Sequence, residues 1–203
     1  MALQITTPPP TEPVTTAEVK ARLRLTTTAD DSTIASNIVS AREYAEKVTR
    51  RSLAYKSYAY FLDRFPCPGD PIRLPVPPLI SVTAIKYFDS TLTLQTWDAA
   101  EYFVAPMQSP GLIITKPGFI YPCPGDVPGA VEIDFASGYG YLGDAQATPP
   151  IAAGPVCPEH LKEGIRQLAV HIYEHPSAVT PEGLKEAPLA LMSFFLSNKF
   201  YCF

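Results

Sequence analysis

Two stretches of helical periodicity near the N-terminus, a change to short proline-punctuated strands beyond Ser52 and a return to helical periodicity at Pro158 predict an α+β fold. At 203 residues and 46% hydrophobic content the chain can bury a core of its own. The first helix opens on Thr15 and Glu18, a T-x-x-E capping box, and runs to about Leu25 with Val19 and Leu23 on one face. Asp30 and Asp31 supply the next helix start, where acids favour the positive pole of the macrodipole. Ile34, Ile38, Ala41, Ala45 and Val48 then recur at spacings of four and three, a narrow apolar stripe ending near Arg51.

The strands are expected at Leu53 to Leu62, Ile72 to Leu74, Ile80 to Phe88, Leu92 to Trp97, Tyr102 to Val104, Leu112 to Thr115 and Ala130 to Ala136. In the last, Val131, Ile133 and Phe135 alternate with Glu132 and Asp134, which turns the apolar set to one side. Of 23 prolines, 15 fall between Pro66 and Pro155, so the strands must be short or at edges. Two near copies in this region, FPCPGDP at 65 to 71 and YPCPGDV at 121 to 127, read as two independent proline-glycine turns, with a paired ligand-binding loop as the alternative. Pro158, suited to the first helical position, opens a third helix with Leu161, Ile165, Leu168 and Ile172 as its stripe, and Pro176 ends it. A last helix is expected from about Pro188. Its apolar residues lie on nearly every side.

Charge limits the function classes. Lys and Arg number 16 against 20 Asp and Glu, a net charge of -4 whose acidity lies in residues 53 to 156, and this argues against tight general binding of duplex DNA. The basic cluster Arg42, Lys47, Arg50 and Arg51 is interleaved with Glu43 and Glu46 and reads as a solvated helix face. Cys67, Cys123, Cys157 and Cys202 lack C-x-x-C spacing, so neither a zinc cage nor a disulfide scaffold is indicated, although a Cys67–Cys123 bridge stays open. The N-terminus has no signal-peptide pattern. The apolar run 189–203 is interrupted by Ser193, Ser197, Asn198 and Lys199 and is too short to span a bilayer, so no membrane partner is expected.

One catalytic pattern is present. HIYEH, His171 to His175, matches H-x-x-E-H, which would place two histidines on one helix face to hold zinc with Glu174 as general base. A third ligand would have to come from elsewhere, with only Glu182 and Glu186 following within reach in sequence, and a helix end with two histidines near the negative pole is the simpler reading. No nucleophile elbow, phosphate loop or dinucleotide fingerprint occurs, so neither a catalytic residue nor a cofactor is assigned.

The order of five segments resembles a tailed-bacteriophage head-tail connector (adaptor, or head-completion) family. They are TPPPTEPVTTAEVKARLRL, STIASNIVSAREYAEKVTRRSL, LPVPPLISVTAIKYFD, VEIDFASGYG and CPEHLKEGIRQLAVHIYEHP, covering about Pro13 to Pro176. Ser137 departs from the A-G-Y-G run common in that family, and residues 177 to 203 match it loosely.

The resemblance implies an extended N-terminal arm at 1–14, a small helical bundle made from 15–52 and 157–203, and an inserted β-rich subdomain and loop at 53–156. It also implies a virion structural protein of the neck, made in the host cytoplasm, with no catalytic residue, cofactor or metal. Such subunits form a ring of about twelve copies on the portal protein, extend the DNA channel without gripping DNA, and carry the next neck or tail-completion protein. A small zinc hydrolase using HIYEH and a β-rich ligand-binding module are the alternatives. Phe194, Phe195, Phe200, Tyr201 and Phe203, packed into ten residues, are the expected partner interface. The tail should be disordered or self-associating in the free subunit and ordered against a neighbour.

Overall fold

The computed structural model of the chain describes residues 1–140, 154–175 and 195–200. It divides into two compact units, one of Met1–Pro10 with Tyr55–Pro155 and one of Thr11–Ala54 with Val156–Phe203. The chain therefore crosses between units within a few residues of the expected boundaries at 52/53 and 156/157.

In the helical unit, α1 (Thr16–Leu23) begins with the capping box in place: Glu18 N–H donates to Thr15 Oγ1 at 3.3 Å and Thr15 N–H donates to Glu18 Oε2 at 2.7 Å. Because this carboxylate accepts the Thr15 N–H, its pKa lies below the ordinary range; burial opposes the effect, and the Thr15 hydroxyl and Arg166 add to it. Arg24 ends the helix in the left-handed conformation, φ 56°, which lets its N–H and that of Leu25 turn back to Ala21 and Lys20 carbonyls. The second helix, α2 (Asp31–Thr49), buries Ile34, Ile38, Ala41 and Ala45 as the stripe requires and leaves Val48 half-buried. Helix α3 (Glu159–Glu174) buries Leu161, Ile165 and Leu168. Pro158 stands one place earlier than expected, at the N-cap.

Helix α2 packs against α3, and α1 touches both. Their rims are tied by Lys20 to Asp31 at 2.7 Å, by Arg22 to Glu163, by Arg166 to Glu18 at 3.1 Å and by the Tyr173 hydroxyl donating to Asp30 Oδ2 at 3.0 Å.

The β unit has a five-stranded antiparallel sheet in the order β1-β2-β8-β4-β5 and a three-stranded antiparallel sheet in the order β3-β7-β6. Their ranges are β1 (Ala2–Thr7), β2 (Lys56–Leu62), β3 (Ile72–Leu74), β4 (Leu79–Phe88), β5 (Leu94–Thr96), β6 (Tyr102–Ala105), β7 (Gly111–Thr115) and β8 (Val131–Ser137). Central β8 buries Val131, Ile133 and Phe135 on one side, as its alternation requires. These join Tyr58, Leu62 and Ile85 of the larger sheet and Ile72, Leu74 and Ile113 of the smaller in one core.

Strand β2 starts three residues later than expected, because Leu53 and Ala54 are buried in the helical unit. The expected arm at 1–14 is corrected in two places. Residues 2–7 form an edge strand on β2, with Leu3 opposite Tyr60 and Ile5 opposite Tyr58. Val14 is buried in the helical unit.

Ser137, the departure from the family run, has a structural use. It is fully buried at the end of β8, and its hydroxyl lies against the Val76 carbonyl and 2.8 Å from that of Pro78, while Gly138 N–H donates to the same Pro78 oxygen at 2.9 Å. The single hydroxyl proton and the Gly138 N–H together supply donors to the two carbonyls of the PVPP segment that leads into β4, a segment whose prolines have no N–H to offer.

Candidate functional site

One charged residue lies inside the apolar stripe of α2. Arg42 sits between Ala41 and Ala45, and its side chain is only 3% exposed. Its Nε donates to Glu12 Oε2 at 2.7 Å, its Nη1 donates to Glu46 Oε2 at 2.9 Å, and Glu43 lies 3.7 Å away. Burial opposes this charge, but the hydrogen bond to Glu12 and the fields of Glu46, Glu12 and Glu43 outweigh it and raise the guanidinium pKa. The other Glu46 oxygen accepts the Leu53 N–H at 2.9 Å. Glu12 follows Pro10 by two residues and Leu53 precedes Tyr55 by two, so a single turn of α2 fixes both places where the first half of the chain passes between units.

The reading of Arg42 as part of a solvated face is therefore corrected. Arg51 is also engaged, donating from Nε to the Asn198 carbonyl at 2.9 Å, while Lys47 and Arg50 are exposed. The signal for Arg42 was legible: a charge in register with buried alanines, with a carboxylate four residues on.

Among the expected interface residues, Phe195 is fully buried and meets Tyr44 of α2 edge to face at 6.5 Å. Phe200 is half-buried, and its N–H donates to the Thr49 carbonyl at 2.8 Å. Phe195 is thus core of the helical unit and cannot present a surface to a partner, which corrects that part of the expectation. The stripes of α2 and α3 do not use Tyr44, so room for an aromatic remained beside it. Phe194, Tyr201, Phe203 and the expected helix start at Pro188 lie outside the described residues.

His171 and His175 lie side by side at the end of α3 with ring centroids 4.6 Å apart and planes tilted by 32°, and His175 Nδ1 lies 3.2 Å from the His171 carbonyl oxygen. Among the described residues no three His, Cys, Asp or Glu side chains come together as a metal site. Cys67 and Cys123 are exposed free thiols. Cys157 is buried, and desolvation pushes its thiol up to about 11. No described helix is long and apolar enough to cross a membrane.

The two PCPG segments, expected to be independent turns, meet. Phe65 and Tyr121, the first residue of each copy, stack at 5.4 Å with 17° between ring planes, and the Tyr121 hydroxyl donates to the Asp70 carbonyl at 2.7 Å. Trp97 closes the cluster, 5.6 Å from Phe65, 5.5 Å from Tyr121 and 4.7 Å from Tyr102. Gly125 lets the second copy lie close against the turn after β4, since a Cβ there would lie 2.6 Å from the Asp89 carbonyl oxygen. Beside the cluster lies an open cleft of about 390 Å³ between Trp97, Tyr121, Asp98 and Glu101. Glu101 is already engaged, accepting the Trp97 Nε1–H at 2.7 Å.

Residues 14–88 match the family model described as phage gp6-like head-tail connector protein. Three solved structures share the fold across the whole chain and 97% of their own chains. They are the neck of an empty gene transfer agent particle computed with C6 symmetry (TM-score 0.76, 24% identity), the virion of the native particle (0.74, 24%) and the neck of the native particle computed with C12 symmetry (0.73, 23%). No curated protein matches the sequence. Residues 14–88 are thus similar in sequence to phage gp6-like head-tail connector proteins, the family read from the motifs, and the whole chain has the fold of virion neck subunits.

Proposed function

We propose that the chain is a structural subunit of a virion neck, a head-tail connector that assembles as a ring, docks on the portal protein, extends the DNA channel and carries the next neck or tail-completion protein. The observation that carries this reading is the family match over residues 14–88, which takes in α1, α2 with Arg42 and Glu46, and strands β2 to β4. A net charge of -4 suits a channel through which DNA slides without counterion-releasing contacts. No observation favours the zinc hydrolase or the free-standing ligand-binding module.

Phe194, Tyr201 and Phe203 stay in the proposal as the portal-facing aromatics. The test removes residues 201–203 and follows co-sedimentation with portal rings: docking is lost while the melting temperature holds. Unchanged docking by the truncated chain would place the portal contact elsewhere. Phe195→Ala, in contrast, costs about 3–5 kcal/mol of stability in chemical denaturation, as expected for an aromatic removed from a core.

A further inference from the structure

We propose that β1 is an exchangeable strand: in the assembled ring, residues 2–7 of each subunit pair with β2 of the adjacent copy instead of their own. The inference rests on the ring-forming reading above. All six residues of β1 are exposed, including Leu3 at 42% and Ile5 at 52%, so the strand is held to β2 by its backbone ladder with little apolar burial. Such a strand loses little on leaving its own sheet and regains the same ladder on the next.

The attachment suits donation. Pro8, Pro9 and Pro10 have no N–H to extend the ladder and favour an extended conformation of about 3.1 Å per residue. Immediately afterwards Glu12 is bound by Arg42 and Val14 is buried, so rearrangement is confined to the prolines and Thr11. Residues 1–10 accordingly belong to the β unit and the chain from Thr11 to the helical unit.

A closed ring needs two different, complementary patches on each subunit. Exchange would supply both: β1 as the donor, the β2 edge as the acceptor, and as their fit the register seen within one chain, Ala2 with Phe61 through Ile5 with Tyr58. The occupant is a second copy of this chain.

The test places a disulfide across the ladder. Gln4→Cys with Ala59→Cys joins directly opposed positions, in a background carrying Cys67→Ser, Cys123→Ser and Cys202→Ser. Thr7→Cys with Ser57→Cys is a second pair that keeps the test alive if the first disturbs the sheet. Rings purified from particles are oxidised and run on a non-reducing denaturing gel. Exchange predicts a ladder of covalent multimers from rings and intramolecular bridges only from the unassembled subunit. Rings giving only monomers with an internal bridge, or thiols that stay free to alkylation, overturn the exchange and leave the connector reading intact. Absence of any ring overturns both.

Discussion

Arg42 shows how much one buried charge can organise. A guanidinium offers five donors in a fixed plane, and here two of them reach carboxylates from different parts of the chain, Glu12 and Glu46. Removing it strands two carboxylates, one of them largely buried, whereas lysine offers a compact ammonium that cannot span both. Arg42→Ala is expected to cost about 3 kcal/mol in chemical denaturation, the range for breaking a buried pair, and Arg42→Lys to recover only part of it. A change below about 1 kcal/mol for alanine would mean that the clasp is not a fixed point. The charge interleaving pointed to a solvated face, although Arg42 is in step with Ile38 and Ala45 of the stripe, and only the structure identified Glu12, because a partner 30 positions away leaves no local spacing to read.

At the scale of elements, alternation and turn residues made the β unit legible. Strands β3 to β8 fall within two residues of their expected places, and most are bounded on at least one side by a proline or glycine that does not extend them. What eluded sequence reasoning was pairing. Nothing in ALQITT says that it lies on β2, and two near-identical turns do not announce that Phe65 stacks on Tyr121. The hairpin between β4 and β5 makes a local prediction. Asp89 accepts from the Thr91 hydroxyl at 2.5 Å, from the Thr91 and Thr93 amides at 2.8 and 3.0 Å and from Gln95 at 3.0 Å. The hydrogen bond from the Thr91 hydroxyl, then that from the Thr93 amide, lowers its pKa from 3.8 to about 2. Because the folded value is depressed, the contribution is present above the unfolded pKa near 4 and fades as pH falls through about 2. NMR titration of the Asp89 carboxyl should show its midpoint near 2, and a midpoint near 4 would mean the loop is not ordered around it.

For the molecule as a whole, the helical unit and the β unit each have a core, and the first helices join them through chain segments anchored at Glu12 and Leu53. The order of its segments carried the resemblance, while contacts such as Arg42 with Glu12 join side chains of different parts of the chain and leave no such order to read. The most direct test is electron cryomicroscopy of particles assembled with this chain carrying a small C-terminal tag, compared with untagged particles. The account predicts extra density repeated around a closed ring at the junction of head and tail. Complete particles that lack the chain, or tag density anywhere other than the neck, would contradict it.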